Sequence, residues 1–194
     1  MPDFPWYSDV SYSADLNQGD LLADCPIPFP HALMYQAILE SDGTTEESIS
    51  VEKPIEIKNG NLIVLSQACD LQNEKLDTVV LCQYWPLKTI MQKNDYYNSK
   101  NGRESLRQGK EPAYHLLNRY QSEFILLEYS VVDFHRIYTL PKEYLHAYAI
   151  TQKHRIRLLP PYREHLSQAF ARYFMRVGLL VDINRNEISN LSIS

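Results

Sequence analysis

The chain has 194 residues and 22.6 kDa, 44% hydrophobic and 22% charged, enough apolar material for one ordinary core. With 19 Lys and Arg against 24 Asp and Glu, the net charge of -5 excludes a generic nucleic-acid binder, so any polyanion site must be local. No apolar run approaches the roughly 20 residues of a membrane span, and a start with Asp3 and Pro5 lacks the regions of a signal peptide, so a cytoplasmic protein without membrane contact is expected.

Met1 to Asn17 is polar and aromatic without a period, and residues 1–18 are predicted as an N-terminal arm, docked or loose. Gly19-Asp20-Leu21-Leu22 begins ordered structure. Pro26, Pro28 and Pro30 after Cys25 forbid a helix and a central strand, which leaves a bent, extended segment. Met34 to Leu39 reads as a strand and Ser41 to Ser50 as a polar loop rich in turn residues. Asn59-Gly60 is a turn signal ahead of Asn61 to Ser66, an apolar run too short for a buried helix and therefore a buried strand. After a polar connection, Asp70 to Leu76, a second β-rich run over Asp77 to Tyr84 completes a hairpin or near-hairpin.

Pro86 opens a short helix to about Gln92, because a first turn tolerates proline. Asn94 to Lys110 is polar and basic and is predicted as a surface insertion. Tyr114 to Leu117 and Glu123 to Leu127 are short strand candidates. In the next run Val132, Phe134, Arg136 and Tyr138 alternate with Val131, Asp133, His135 and Ile137, the two faces of a strand. Pro141 starts a helix over Lys142 to Ala149, and Arg155 to Leu159 is a basic strand or linker. The strongest period lies in Tyr162 to Val177, where Leu166, Ala169, Phe170, Tyr173, Phe174 and Val177 form an apolar stripe that Gly178 ends. His165, Gln168, Arg172 and Arg176 project opposite it as one polar ridge.

The charge is uneven. Residues 1–62 carry eleven acids against Lys53 and Lys58, whereas residues 141–194 carry eight bases against four acids. The acidic start and basic end should attract, and they either pack together or stay solvated. Cys25, Cys69 and Cys82 are odd in number and lack C-x2-C spacing, against a disulfide framework and a zinc ribbon.

Gly19-Asp20-Leu21-Leu22, Asn61 to Ser66, Val79-Val80-Leu81 and Ser130 to Leu140 follow one another in an order that resembles the MazF/PemK-like family, over about residues 19–145. The resemblance implies a small SH3-like barrel, usually dimeric, whose active members cut single-stranded RNA. The family's cleavage chemistry is associated with an arginine shortly before the second strand and a Thr or Ser at the end of the third. Here those places hold Lys58-Asn59-Gly60 and Cys82-Gln83, so a degenerate, non-catalytic barrel is the first expectation.

Several side-chain sets could carry chemistry. Cys69 and Asp70 follow a buried strand, and with His115 and Asp133 they would make a Cys-His-Asp arrangement in which imidazole activates the thiol. Buried cysteine and turn-capping aspartate are the plain alternative. Cys69, Cys82, His115, His135 and Asp133 hold zinc-type donors but at no zinc spacing, and no metal or cofactor is predicted. Gln67, Arg136 and Tyr138 could line a groove for a peptide or nucleotide, although Arg136 is better placed to bridge Asp133 or Asp70. The ridge of His165, Arg172 and Arg176, with Arg163, Lys153, Arg155 and Arg157, could track phosphates or dock on the acidic N-terminal region.

The sequence therefore predicts an α+β fold. A small SH3-like antiparallel β-barrel spans residues 19–150 with an insertion at 94–110, and a C-terminal amphipathic helix in the extension 151–194 packs on it. The expected function is binding of a protein partner or RNA, as a homodimer, in a bacterial toxin–antitoxin, phage or defence context. An active metal-independent endoribonuclease using Arg136 and a cysteine-dependent enzyme using Cys69 and His115 are the alternatives.

Overall fold

A computed structural model describes residues 4–30, 55–73 and 75–175. The runs expected at 34–39 and 41–50, the end of the helix beyond residue 175, and Arg176 lie outside the described residues. The fold is α+β, with one seven-stranded antiparallel sheet, a two-stranded ribbon and six helices among the described residues. The strands are β1 (Tyr7–Ser11), β2 (Asp20–Pro30), β3 (Ile55–Val64), β4 (Thr78–Pro86), β5 (Tyr114–Leu117), β6 (Tyr120–Gln121), β7 (Leu126–Leu127), β8 (Ser130–Pro141) and β9 (His154–Leu158). The large sheet runs β1-β9-β2-β3-β4-β8-β5, and β6 pairs with β7.

Two of these strands come from outside the predicted barrel segment. β1 belongs to the supposed arm and β9 to the supposed extension, yet they pair with each other, and β9 also pairs with Asp20 and Leu21 of β2. The supposed arm thus has a sheet partner, in a strand 147 residues downstream. Beyond Leu22, β2 pairs only with β3, so Pro26, Pro28 and Pro30 sit on an open edge where a missing N–H costs no ladder bond. Asn59-Gly60 is no turn. Gly60 is buried inside β3, where a side chain would lie 3.0 Å from both Gln83 Nε2 and Ile27 Cδ1, and this close approach is what glycine serves there.

The ladder does not close. β1 and β5 are its edges, so the barrel closure expected from the sequence is not made by backbone pairing. Side chains link the two margins instead: Tyr7 Oη donates to the Asn118 carbonyl at 2.9 Å, and Asp9 accepts from Tyr120 and Ser122, each at 3.2 Å. The sheet is therefore curled. Its inner face gathers Tyr7, Leu21, Ile63, Cys82, Leu117, Val132, Phe134 and Leu158 under Leu166 and Ala169 of α6 (Tyr162–Phe174).

The opposite face of the sheet buries Leu22, Leu62, Val64, Leu81 and Leu140 against Leu145 and Ala149 of α5 (Lys142–Thr151) and Leu71 of α1 (Ala68–Gln72). Leu22, Leu62, Ile63 and Leu81 are wholly buried, each stabilising by about 1.5–3 kcal/mol. The insertion forms α3 (Asp95–Asn98) and α4 (Lys100–Arg107) after α2 (Leu87–Lys93), and Tyr97 and Leu106 anchor it on Ile90 and Val131.

In β8 the register jumps. Ile137 pairs with Cys82 and Asp133 with Gln83, so Phe134, His135 and Arg136 are left out of the ladder with β4. This bulge breaks the expected alternation: Phe134 enters the inner core, Tyr138 packs against the opposite face, and His135 and Arg136 reach solvent. No helix among the described residues is long and apolar enough to cross a membrane.

Candidate ligand-binding face

β5 carries His115 to the sheet edge, and α6 lays its polar ridge beside it. His115 Nε2 is buried and has no hydrogen-bond partner among the described residues. Burial first, then the nearby His165 and Arg172, push the imidazole down to about pKa 4, so it is neutral at pH 7. This histidine is the shared wall of two clefts. One, of about 520 Å³, is lined by Glu111, Tyr114, His115, Ala169 and Arg172. The other, of about 440 Å³, is lined by Trp6, His115, Tyr129, Tyr162 and His165. Gly109, with a backbone φ of 64°, lines both.

A third cleft of about 660 Å³ continues from Tyr129, with Arg119 as its unpaired cation among the described residues and Lys88 paired to Glu128 at 2.6 Å. The three make one track along the β5 margin, with aromatic rings and cations interleaved. Trp6 and Tyr162 stack at 3.7 Å between ring centroids, and the Arg119 guanidinium lies 5.8 Å from the centre of the Tyr129 ring. Glu111, the acid in the first cleft, is held by Tyr97 Oη at 3.1 Å and Ser105 Oγ at 2.6 Å.

A second cluster sits in the β8 bulge. Asp133 Oδ1 lies 2.8 Å from His135 Nδ1 and accepts the backbone N–H of the same residue at 3.0 Å. Tyr114 and Tyr173 flank the ring, each with centroids 5.7 Å away. With Nδ1 on the carboxylate, Nε2 is the nitrogen left to exchange a proton.

The remaining predicted residues are scattered. Leu65 and Ser66 donate to the Val80 carbonyl, and there the chain leaves the sheet toward Gln67, Cys69 and Asp70. His115 pairs with Val132, which pairs with Tyr84, four residues further along β4 and roughly 13 Å at 3.3 Å per residue. No Cys-His-Asp triad forms. Cys69 is exposed, with Sγ 3.7 Å from Asp70, while Asp133 is occupied by His135. Cys25 and Cys82 are buried; burial pushes the Cys25 thiol up to about 12 and raises that of Cys82 as well. Among the described residues no three His, Cys, Asp or Glu converge as metal ligands.

Gln67 is exposed and Tyr138 Oη donates to Gln83 at 3.2 Å, so the groove of Gln67, Arg136 and Tyr138 is not assembled. Arg136 lies close enough to the Tyr138 hydroxyl to act on it electrostatically and makes no ion pair with Asp133 or Asp70 among the described residues. Of the basic run, Lys153 is exposed and the arginines are paired. Arg155 and Arg157 bind Asp20, and Arg163 binds Glu164 at 2.7 Å. Of the ridge, His165 and Arg172 remain.

No family model matches this chain, and no curated protein does.

Sequence reading placed His115 in a thiol triad and the ridge on a separate helix face, and so missed their meeting. It also passed over His135 except as a zinc donor. The signal was the D-x-H spacing, which puts both side chains on one strand face and lets a carboxylate orient the imidazole.

Proposed function

We propose that the protein is a binding module for single-stranded RNA, with the track along β5 and α6 as its footprint. It is a degenerate relative of the MazF/PemK-like proteins, and its curled sheet is an opened version of their SH3-like barrel. The observation that carries the reading is the neutral His115 at the junction of two clefts whose rims bear His165, Arg172 and the rings of Tyr114, Tyr129, Tyr162 and Trp6. Single strands are held by stacking of bases on such rings, about 1–3 kcal/mol per base, with cations tracking the backbone.

The test is a fluorescence-anisotropy titration of a labelled oligoribonucleotide. Arg172→Glu should weaken binding about tenfold or more and lower the salt slope by about one, and His165→Glu, which adds a negative charge to the track, should weaken binding too. Wild-type protein that leaves free RNA unbound but retains a protein partner would replace this reading with the partner-binding one.

An active endoribonuclease is the second reading, favoured by the Asp133–His135 pair. His135 would take the 2′-hydroxyl proton as the 2′-oxygen attacks phosphorus and the 5′-oxygen leaves, collecting a proton from water. RNA incubated with wild-type protein would then be cut, and with His135→Ala it would stay whole.

A further inference from the structure

On the far side of the fold from this track, α5, β9, α1 and the segment 15–17 enclose a cleft of about 470 Å³. Lys142 opens α5 and His146 stands one turn on, so both project on one side of the helix into that lining. Arg157 reaches it from β9 and the amides of Asn17 and Gln72 complete the polar wall.

These cations are fixed but not saturated. Lys142 Nζ spends one N–H on the Leu71 carbonyl at 3.2 Å and has two more. Arg157 holds Asp20 through Nε and Nη2 and the Asp15 carbonyl through Nη2 at 2.7 Å, while Nη1 has no protein partner among the described residues. Asp20 is wholly buried and also held by Arg155, so the guanidinium is set before any ligand arrives. The one acid in the lining, Asp15, has a side chain 97% exposed and meets His146 at only 3.7 Å, an arrangement an incoming dianion displaces at little cost.

A second cavity of about 710 Å³ shares Lys142 and His146. It adds Leu76, Ala147 and Ile150 with Asp77 and Glu143, a mixed apolar and hydrogen-bond-accepting wall. From this pairing we infer that the double cavity binds a phosphate monoester, its phosphoryl group between Lys142, His146 and Arg157 and its hydroxylated organic body beside α5. A tetrahedral dianion suits this set, because the Lys142 ammonium, the His146 imidazole and the free arm of the planar Arg157 fork approach it from different directions. The inference does not depend on the RNA track.

Calorimetric titration of the full chain with adenosine 5′-monophosphate, glucose 6-phosphate and inorganic phosphate tests it, with adenosine as the uncharged control. At least one monoester should bind more tightly than phosphate, and adenosine should not bind. Which monoester wins separates a nucleotide from a sugar phosphate. Lys142→Ala and His146→Gln should each weaken that monoester about tenfold, and Asp15→Asn, a change at a fully solvated side chain, should tighten it. Arg172→Glu should have no effect. No heat with any monoester at about 10 mM, or affinity unchanged in Lys142→Ala and in Asp15→Asn, overturns the assignment.

Discussion

Asp20 and Arg155, separated by 135 residues in the chain, form an ion pair in which neither side chain has any exposed surface. The carboxylate also binds Arg157, and the Arg155 guanidinium reaches the carbonyls of Ser11, Ala14, Asp15 and Ala149. Each charge has its partners, which is the condition for burying it. This is where the acidic beginning of the chain meets its basic end, and it ties β9 between β1 and β2.

Asp20→Ala leaves two guanidinium groups without their carboxylate. The expected loss is about 3–5 kcal/mol, read as a lower urea midpoint at unchanged slope. Asp20→Leu combined with Arg155→Met should recover part of it, because the second change removes the wholly buried stranded charge.

His115 links stability to pH. Its ordinary value of 6.5 is lowered to about 4 in the fold, so the unfolded chain binds the extra proton first. The stabilisation is complete above pH 6.5 and is lost as pH falls toward 4, at most on the order of 3 kcal/mol. Urea midpoints compared at pH 7 and pH 4.5 should fall more steeply for wild type than for His115→Phe, whose ring cannot take up a proton.

Cys69 lies in solvent on α1, with its sulfur on Asp70 and His115 on a distant strand. Cys69→Ser should shift stability by no more than about 0.5 kcal/mol and leave RNA affinity unchanged. Loss of function in that variant would revive a thiol chemistry.

The elements with the most regular patterns were legible from the sequence. Leu62 to Val64 form a strand because both faces of the sheet are covered, and the stripe from Leu166 to Tyr173 packs into the inner core as its period requires. Long-range pairing was not legible. Nothing local in Tyr7 to Ser11 says that its partner is His154 to Leu158, and an apparent arm became an edge strand through that distant match. Asn59-Gly60 carries a turn signal, but crowding from Gln83 and Ile27 gave the glycine another role.

The β8 bulge had the same consequence for the site. Three residues leave the ladder because Phe134 donates to the Ala113 carbonyl at 2.9 Å and turns into the core, so alternation failed where His135 and Arg136 stand. His115 and Arg172 meet across a β5–α6 packing that no local spacing encodes.

Ultraviolet cross-linking of a single-stranded RNA to the full-length protein, with the adducts mapped by mass spectrometry, tests the footprint most directly. The adducts should fall on Trp6, Tyr114, Tyr129 and Tyr162, the rings along the β5 and α6 track. Adducts confined to α5 and β9, or none on those four rings at saturating RNA, would contradict it.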